Sequence, residues 1–232
     1  MKKDIKLGIK AVMPIAISYA PISMTFGILS KGIDLSIIET ISFSAFVFAG
    51  SSQFMAIGLL SLNVGIFSII LSTFLLNFRH LLMSMYVSTR MKKENSSWFP
   101  LIAFGIIDEI FALISVKKGD LSKEYCLTME FIAYFSWVLF TAVGYFIGEI
   151  LPYSLKESMI MGIYGIFIAF LIPQMKNSMS ITITVIISGA INALVKGVPF
   201  ISDSWSLILA IIIGASMGSL LLEEKKEVLI EV

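Results

Sequence analysis

Four clusters in this sequence combine residue types that apolar surroundings do not tolerate without a reason. The most telling is Asn77-Phe78-Arg79-His80, which lies inside a long apolar run. A guanidinium held in hydrocarbon costs roughly 2.5–3.5 kcal/mol on insertion scales, so Arg79 must face protein or water and needs an anionic partner. Asp108 and Glu109, in the middle of the next apolar run, are the candidates. A pair between Arg79 and Asp108 would either lock two helices together or help hold a charged solute or relay a proton. His80 titrates near neutrality when unperturbed and so could carry a proton; it could equally be a hydrogen-bonding helix contact.

The second cluster is Ala49-Gly50-Ser51-Ser52-Gln53. Glycine and serine permit a local break, and backbone amides freed at the start of a half-helix attract a carboxylate. Interrupted helices survive in membranes only where they are shielded or line a cavity. The alternative is a small-residue face that lets two helices approach closely. In the third cluster, Pro14, Tyr19, Pro21 and Gly27 point to a kinked or unwound first helix, since each proline removes a backbone donor and crowds the preceding turn. Tyr19 would supply a hydroxyl at mid-depth. The fourth is Pro173-Gln174, a further helix-break candidate. Glu130 and Glu149 lie near the two ends of one apolar run and are expected to reach the membrane interface.

Other chemistries find no residues here. Cys126 is the single cysteine and His80 the single histidine, which excludes an internal disulfide, a cysteine metal cluster and multi-histidine zinc or haem sites. No Gly-x-x-x-x-Gly-Lys-[Ser/Thr] run occurs, so ATP is not the expected energy source. No cofactor and no metal are expected. A net charge of +1 gives no electrostatic case for nucleic acid.

The elements that must position these groups follow from composition. Of 232 residues, 57% are apolar and only 14% charged, against about 25% charged in an ordinary soluble domain. A soluble fold of this size cannot hide so much apolar surface, whereas a lipid bilayer accepts it. A spanning helix needs about 20 apolar residues. Runs of that kind are 9–30, 37–61, 64–89, 98–116, 127–151, 157–175, 179–197 and 203–222. The expected fold is therefore all-α, a polytopic membrane protein of about eight transmembrane helices, with seven as the alternative. The polar connections are too short for a soluble domain, so residues 1–232 read as one transmembrane domain. The lysine-rich start precedes an apolar run with no small-residue cleavage site, and is read as an uncleaved first span.

Orientation follows from Lys and Arg in short loops. With eight spans, ten of the 17 basic residues fall on the side of the N-terminus and six on the other, with Arg79 within a span. Both termini are thus expected in the cytoplasm. Arg90-Met91-Lys92-Lys93 falls on the opposite side, which is what keeps seven spans open. Residues 46–54 can be laid over 167–175 with two identities in nine; paired interrupted segments of this kind point to a transporter's site, and an internal repeat is one reading of them.

Taken in order, Pro14-Ile15-Ala16-Ile17-Ser18-Tyr19-Ala20-Pro21 with Phe26-Gly27, then Val47-Phe48-Ala49-Gly50-Ser51-Ser52-Gln53-Phe54, then Asn77-Phe78-Arg79-His80, then Asp108-Glu109, resembles the AzlC family. The likeness covers nearly the whole chain, with Pro173-Gln174 fitting a second-half pattern. It departs from the family at Ile107, where a threonine is usual. The resemblance implies the large subunit of a bacterial branched-chain amino acid exporter, a permease of the cytoplasmic membrane working with a small AzlD-like membrane subunit. Tyr19, Gly50, Ser51, Ser52, Gln53, Asn77 and Arg79 would then be substrate-binding candidates. His80, Asp108 and Glu109 would be candidates for ion or proton coupling.

Three function classes remain in view. Secondary transport of a zwitterionic amino acid needs an anion site (Ser51, Ser52, Arg79), a cation site (Asp108 or Glu109) and an apolar pocket. A channel or structural membrane subunit is the second class. The third is an intramembrane hydrolase, for which Ser51 or Ser52 and His80 could supply the atoms. The chain is not expected to be an enzyme, since nothing in the spacing joins those groups.

Overall fold

The computed structural model describes residues 2–91, 97–152, 168, 171–173, 175–176, 178–196, 209–214 and 216–218. Among these residues the secondary structure is helical, with one isolated bridge between Met91 and Leu121. The chain divides into two compact units, 1–58 with 73–160 and 59–72 with 161–232.

The first unit is organised on α1 (Lys2–Gly32) and α7 (Lys123–Ile150). At 1.5 Å per residue they measure about 46 and 42 Å, longer than the roughly 30 Å hydrocarbon layer. Their packing faces show helical spacing: Gly8, Val12, Ala16, Tyr19, Ser23, Phe26, Gly27 and Ser30 on α1 are buried. On α7 they are matched by Cys126, Met129, Ala133, Trp137, Gly144 and Gly148. The backbones meet directly. A methyl added at Gly144 would lie 2.0 Å from the Met24 carbonyl oxygen, and one at Gly27 would lie 2.1 Å from that of Thr141. Gly144-x-x-x-Gly148 is thus a close-approach face of the small-residue type. Ser136 adds a hydrogen bond across it to the Ala16 carbonyl, 2.8 Å.

The interior of this unit holds Ser23, Ser30, Ser44, Gln53 and Thr141 at 0% exposure, while Phe46, Val116 and Ile150 on the outside are 79–84% exposed. The polar groups share that interior with apolar side chains such as Phe26, Phe54 and Ile102 at 0–1% exposure, but so many large apolar groups on the outside depart from the order of a soluble protein. That outer surface suits hydrocarbon.

Pro14 and Pro21 correct an expectation. Neither breaks α1, which is helical from Lys2 to Gly32. Both prolines lie on its exposed face, away from α7, so the missing donors leave the packing face untouched. Gly27 serves helix contact, meeting the Thr141 carbonyl of α7.

Two other spans are interrupted. Residues 37–61 form α2 (Ile37–Phe46) and α3 (Gly50–Ser61), separated at Val47-Phe48-Ala49. α2 begins with a capping box: Ser36 accepts from the Glu39 amide at 3.3 Å, and Glu39 accepts from the Ser36 amide at 2.8 Å. α4 follows as one piece, Ile66–Arg90. Residues 98–116 form α5 (Phe99–Gly105) and α6 (Asp108–Val116), bent by 114° at Ile106-Ile107. Asp108 and Glu109 are therefore in the first turn of α6, not at the middle of a continuous span. Carboxylates there complement the helix dipole. Arg90 closes the other end of α6, donating to the carbonyls of Ile114 and Gly119 at 2.8 Å each and to that of Lys117.

In the second unit, α8 (Met179–Lys196) and a shorter apolar helix, Leu209–Gly218, meet through glycine. Methyls built at Gly214 and Gly218 would fall 1.9 Å from Ser188 Oγ and 2.9 Å from Thr184 Oγ1.

Four described helices, α1, α4, α7 and α8, are long and apolar enough to cross a bilayer, and five spans result if the bent α5–α6 pair counts as one. Most of the expected spans 157–175 and 203–222 lies outside the described residues. So does most of the second copy of the internal echo, including Gln174; Pro173 is helical and exposed.

Candidate functional site

The two interrupted spans bring their half-helix starts into one constellation. Arg79 is the fourteenth residue of α4, about 20 Å from its start and 16 Å from its end along the axis. Its Nη2 donates to Ser51 Oγ at 2.6 Å, in the first turn of α3. The same nitrogen is 2.9 Å from Asp108 Oδ2, at the start of α6. The guanidinium thus ties one break to the other. The pair is open, with side chains 38% and 49% exposed.

A second link runs beside the first. Tyr19, buried on α1, donates its hydroxyl to Glu109 Oε2 at 2.8 Å. Its ring meets Trp137 edge-on at 5.0 Å. Trp137 in turn donates Nε1–H to Gln53 Oε1 at 3.0 Å. Gly50 lies under the same indole, where an added methyl would come within 2.7 Å of its ring. So Glu109, Tyr19, Trp137 and Gln53 form a chain from the α6 start to the α2–α3 break.

Within the break the residues divide their work. The Gln53 amide donates to the carbonyl of Val47, which also accepts from the Ala49 amide, and reaches that of Phe43 at 3.5 Å, which also accepts from the Val47 amide, so it adds a second donor to carbonyls at the end of α2. Ser52, fully buried, donates to the Ala49 carbonyl at 2.9 Å. Gln53 and Ser52 therefore hold the break together from inside. Ser51 is the one of the three whose side chain turns toward the ion pair. Asn77 Oδ1, Arg79 Nε and His80 Nε2 are enclosed without hydrogen-bond partners among the described residues.

Electrostatically, Arg79 pairs with Asp108 while Glu109, next in the chain, accepts from Tyr19, so the start of α6 brings two carboxylates against one paired cation. The constellation can complement one further positive charge, and Arg79 with Ser51 offers donors to a negative one.

Sequence reasoning missed three residues. Trp137, to which the sequence assigned no role, links Tyr19 to Gln53. Gly144 could have been found from its Gly-x-x-x-Gly spacing with Gly148. Glu130, expected at the interface, is 5% exposed. Glu149 does pair outward, with Lys31 at 3.7 Å. A cavity of about 730 Å³ in the first unit is lined by α1, α5 and α7 and includes Glu130 but none of Tyr19, Arg79 or Asp108.

Comparison with known proteins agrees with this arrangement of motifs. The family model described as AzlC protein matches residues 14–151, a stretch that contains every group named in the constellation. An uncharacterized membrane protein of Archaeoglobus fulgidus is 33% identical over 172 residues, 73% of this chain and 75% of that protein. The inner membrane protein YgaZ of Escherichia coli K12 is 27% identical over 215 residues, 89% of this chain and 86% of its own. An uncharacterized membrane protein of Helicobacter pylori is 27% identical over 182 residues, 76% of this chain and 78% of that protein. No solved structure matches the chain significantly.

Proposed function

The chain belongs to the AzlC family, and from that membership we propose that it is a secondary transporter exporting branched-chain or related apolar amino acids. The observation that carries this reading is the bridge of Arg79 between Ser51 and Asp108, which joins the starts of two half-helices at mid-span. Irregular backbone at membrane depth marks solute sites in transporters because it exposes backbone groups to a cavity. An amino acid's carboxylate would be received by Arg79 and Ser51, and its ammonium by Glu109 or Asp108. The half-helices α2–α3 and α5–α6 would move about this site to give alternating access.

The small AzlD-like membrane subunit belongs to the same proposal, as does placement in the cytoplasmic membrane with both termini cytoplasmic. The Escherichia coli relative's name as an inner membrane protein supports the placement. A hydrolase is the less supported class, since Ser52 donates to the Ala49 carbonyl, Ser51 accepts from Arg79, and His80 Nε2 has no hydrogen-bond partner among the described residues.

The test is efflux from dipeptide-loaded cells carrying or lacking the gene, with the neighbouring small membrane subunit co-expressed. Faster efflux of leucine, isoleucine, valine or methionine, saturating with internal concentration, is the expected result. Equal efflux of all four in both strains overturns the proposal, and linear, non-saturating flux identifies a channel.

A further inference from the structure

Glu130 occupies a position that the zwitterion site does not explain. It lies on α7, two turns in from the helix start, and neither carboxyl oxygen has a hydrogen-bond partner among the described residues. Its side chain rests on the backbone of Gly105, where an added methyl would lie 2.6 Å from both Cδ and Cγ. Gly105 is the last residue of α5, immediately before the 114° bend. On its other side Glu130 borders the 730 Å³ cavity, whose walls include Ile5 and Ile9 of α1, Leu101 and Phe104 of α5, and Phe131 of α7.

We propose that Glu130 is the proton-binding residue of this transporter, loaded and unloaded through the α1–α5–α7 cavity as the α5–α6 bend moves. The proposal rests on the transport reading and adds the coupling ion and its site. A metal cation would want several oxygen ligands; of the polar side chains that line this cavity with Glu130, Thr128 donates to the Glu124 carbonyl and Tyr134 to the Ala45 carbonyl, which leaves Glu124 as the one other carboxylate among the lining residues. A proton needs only the carboxyl. An ionised carboxylate moved from water to such a place is penalised by lost hydration, so its charge and the opening of the cavity are tied to each other.

The surrounding groups leave Glu130 free for this role. On its own helix, Cys126 is one turn away, and Glu124 and Tyr134 line the same cavity. Lys6 and Lys10 of α1 are exposed and do not line it. α5 presents only apolar side chains and Gly105. On α2, Glu39 is held by Ser36. On α6, Asp108 and Glu109 are held by Arg79 and Tyr19. Because Asp108 follows Gly105 by three residues across the bend, a shift at Glu130 is transmitted to the zwitterion site through the backbone of α5 and α6.

The experiment uses the full chain with its small subunit in proteoliposomes, comparing wild type, Glu130→Gln and Glu130→Asp. Two fluxes are measured: leucine accumulation driven by a pH gradient, and leucine counterflow without one. Glu130→Gln, neutral and nearly isosteric, is expected to lose gradient-driven accumulation and the pH dependence of exchange while keeping counterflow. Glu130→Asp is expected to keep accumulation with a shifted pH profile, and covers the case in which the glutamine variant does not fold. Accumulation in Glu130→Gln equal to wild type overturns the proposal, as does accumulation that follows a sodium gradient independently of pH. Absence of counterflow in the wild type is a failure of the transport reading instead. The proton site is then judged by infrared titration of the purified protein, where a carboxyl band must disappear in Glu130→Gln; an unchanged spectrum overturns it.

Discussion

Tyr19 and Glu109, 90 residues apart in the chain, meet at 2.8 Å with the tyrosine as donor. The bond joins an uninterrupted helix to the first turn of a half-helix, and the tyrosine ring's edge contact with Trp137 extends it to the other break. Tyr19→Phe removes the hydroxyl alone. Hydrogen bonds of this kind between membrane helices average about 0.6 kcal/mol, so the thermal melting point in detergent should fall only slightly. Exchange affinity should change more, because Glu109 is then unrestrained. Tyr19→Ala also loses the ring and should melt well below Tyr19→Phe; equal melting of the two variants would mean the Trp137 contact contributes nothing.

The Arg79–Asp108 pair is partly exposed, and such pairs contribute roughly 0.2–1 kcal/mol to stability. A double-mutant cycle with Arg79→Ala and Asp108→Asn should therefore give a small coupling in melting. Transport should be lost in both single variants and should stay lost in the double variant. Recovery of efflux in the double variant would reduce the pair to a structural tie.

Gln53 separates clamping from substrate binding. In Gln53→Leu the Trp137 indole N–H loses its partner and the Val47 carbonyl keeps only the Ala49 amide, at roughly 1–3 kcal/mol for the buried group left unpaired. The variant should be markedly less stable, as read by thermal size-exclusion assays. Wild-type melting with abolished exchange would instead place Gln53 in contact with the transported molecule.

Gly144→Ala should be among the most damaging conservative substitutions in the chain. Its methyl would fall 2.0 Å from the Met24 carbonyl oxygen, a clash with backbone that no rotamer relieves, so α1 and α7 must separate. Overpacking of this kind costs about 1–3 kcal/mol or more. Gly189→Ala on α8 has nothing within 4 Å of the added methyl and should be neutral or stabilising, since alanine is favoured over glycine in helices by about 1 kcal/mol. Equal yields of folded protein from the two variants would contradict the α1–α7 contact.

Much of the site could be read from residue types, because an arginine in a long apolar run has few ways to be accommodated. The partner of Arg79 and the break beside Gly50 followed from that logic. The rest depended on facing. Pro14 and Pro21 look like breaks in one dimension, and only their exposed positions on α1 show why the helix runs through them. The bend at Ile106-Ile107 has no proline and is made by two buried β-branched residues after Gly105, a pattern that reads equally well as continuous helix. Gln53 entered as a substrate-binding candidate through the family resemblance; its partners are the Val47 carbonyl at the break and the Trp137 indole, which only the packing of α7 brings to it. Glu130 was misjudged from its distance to the run's edge, since burial is set by the neighbouring helix, which sequence position alone does not reveal.

The touching backbones of α1 and α7 leave no slack for either helix to slide or turn against the other. Whatever rearrangement lets a solute pass must therefore be carried by the short pieces beside them, as shutters swing from a fixed frame. Cross-linking the frame, for instance through paired cysteines at Ala16 and Ser136, should leave flux intact, while tethering the α5–α6 elbow should stop it.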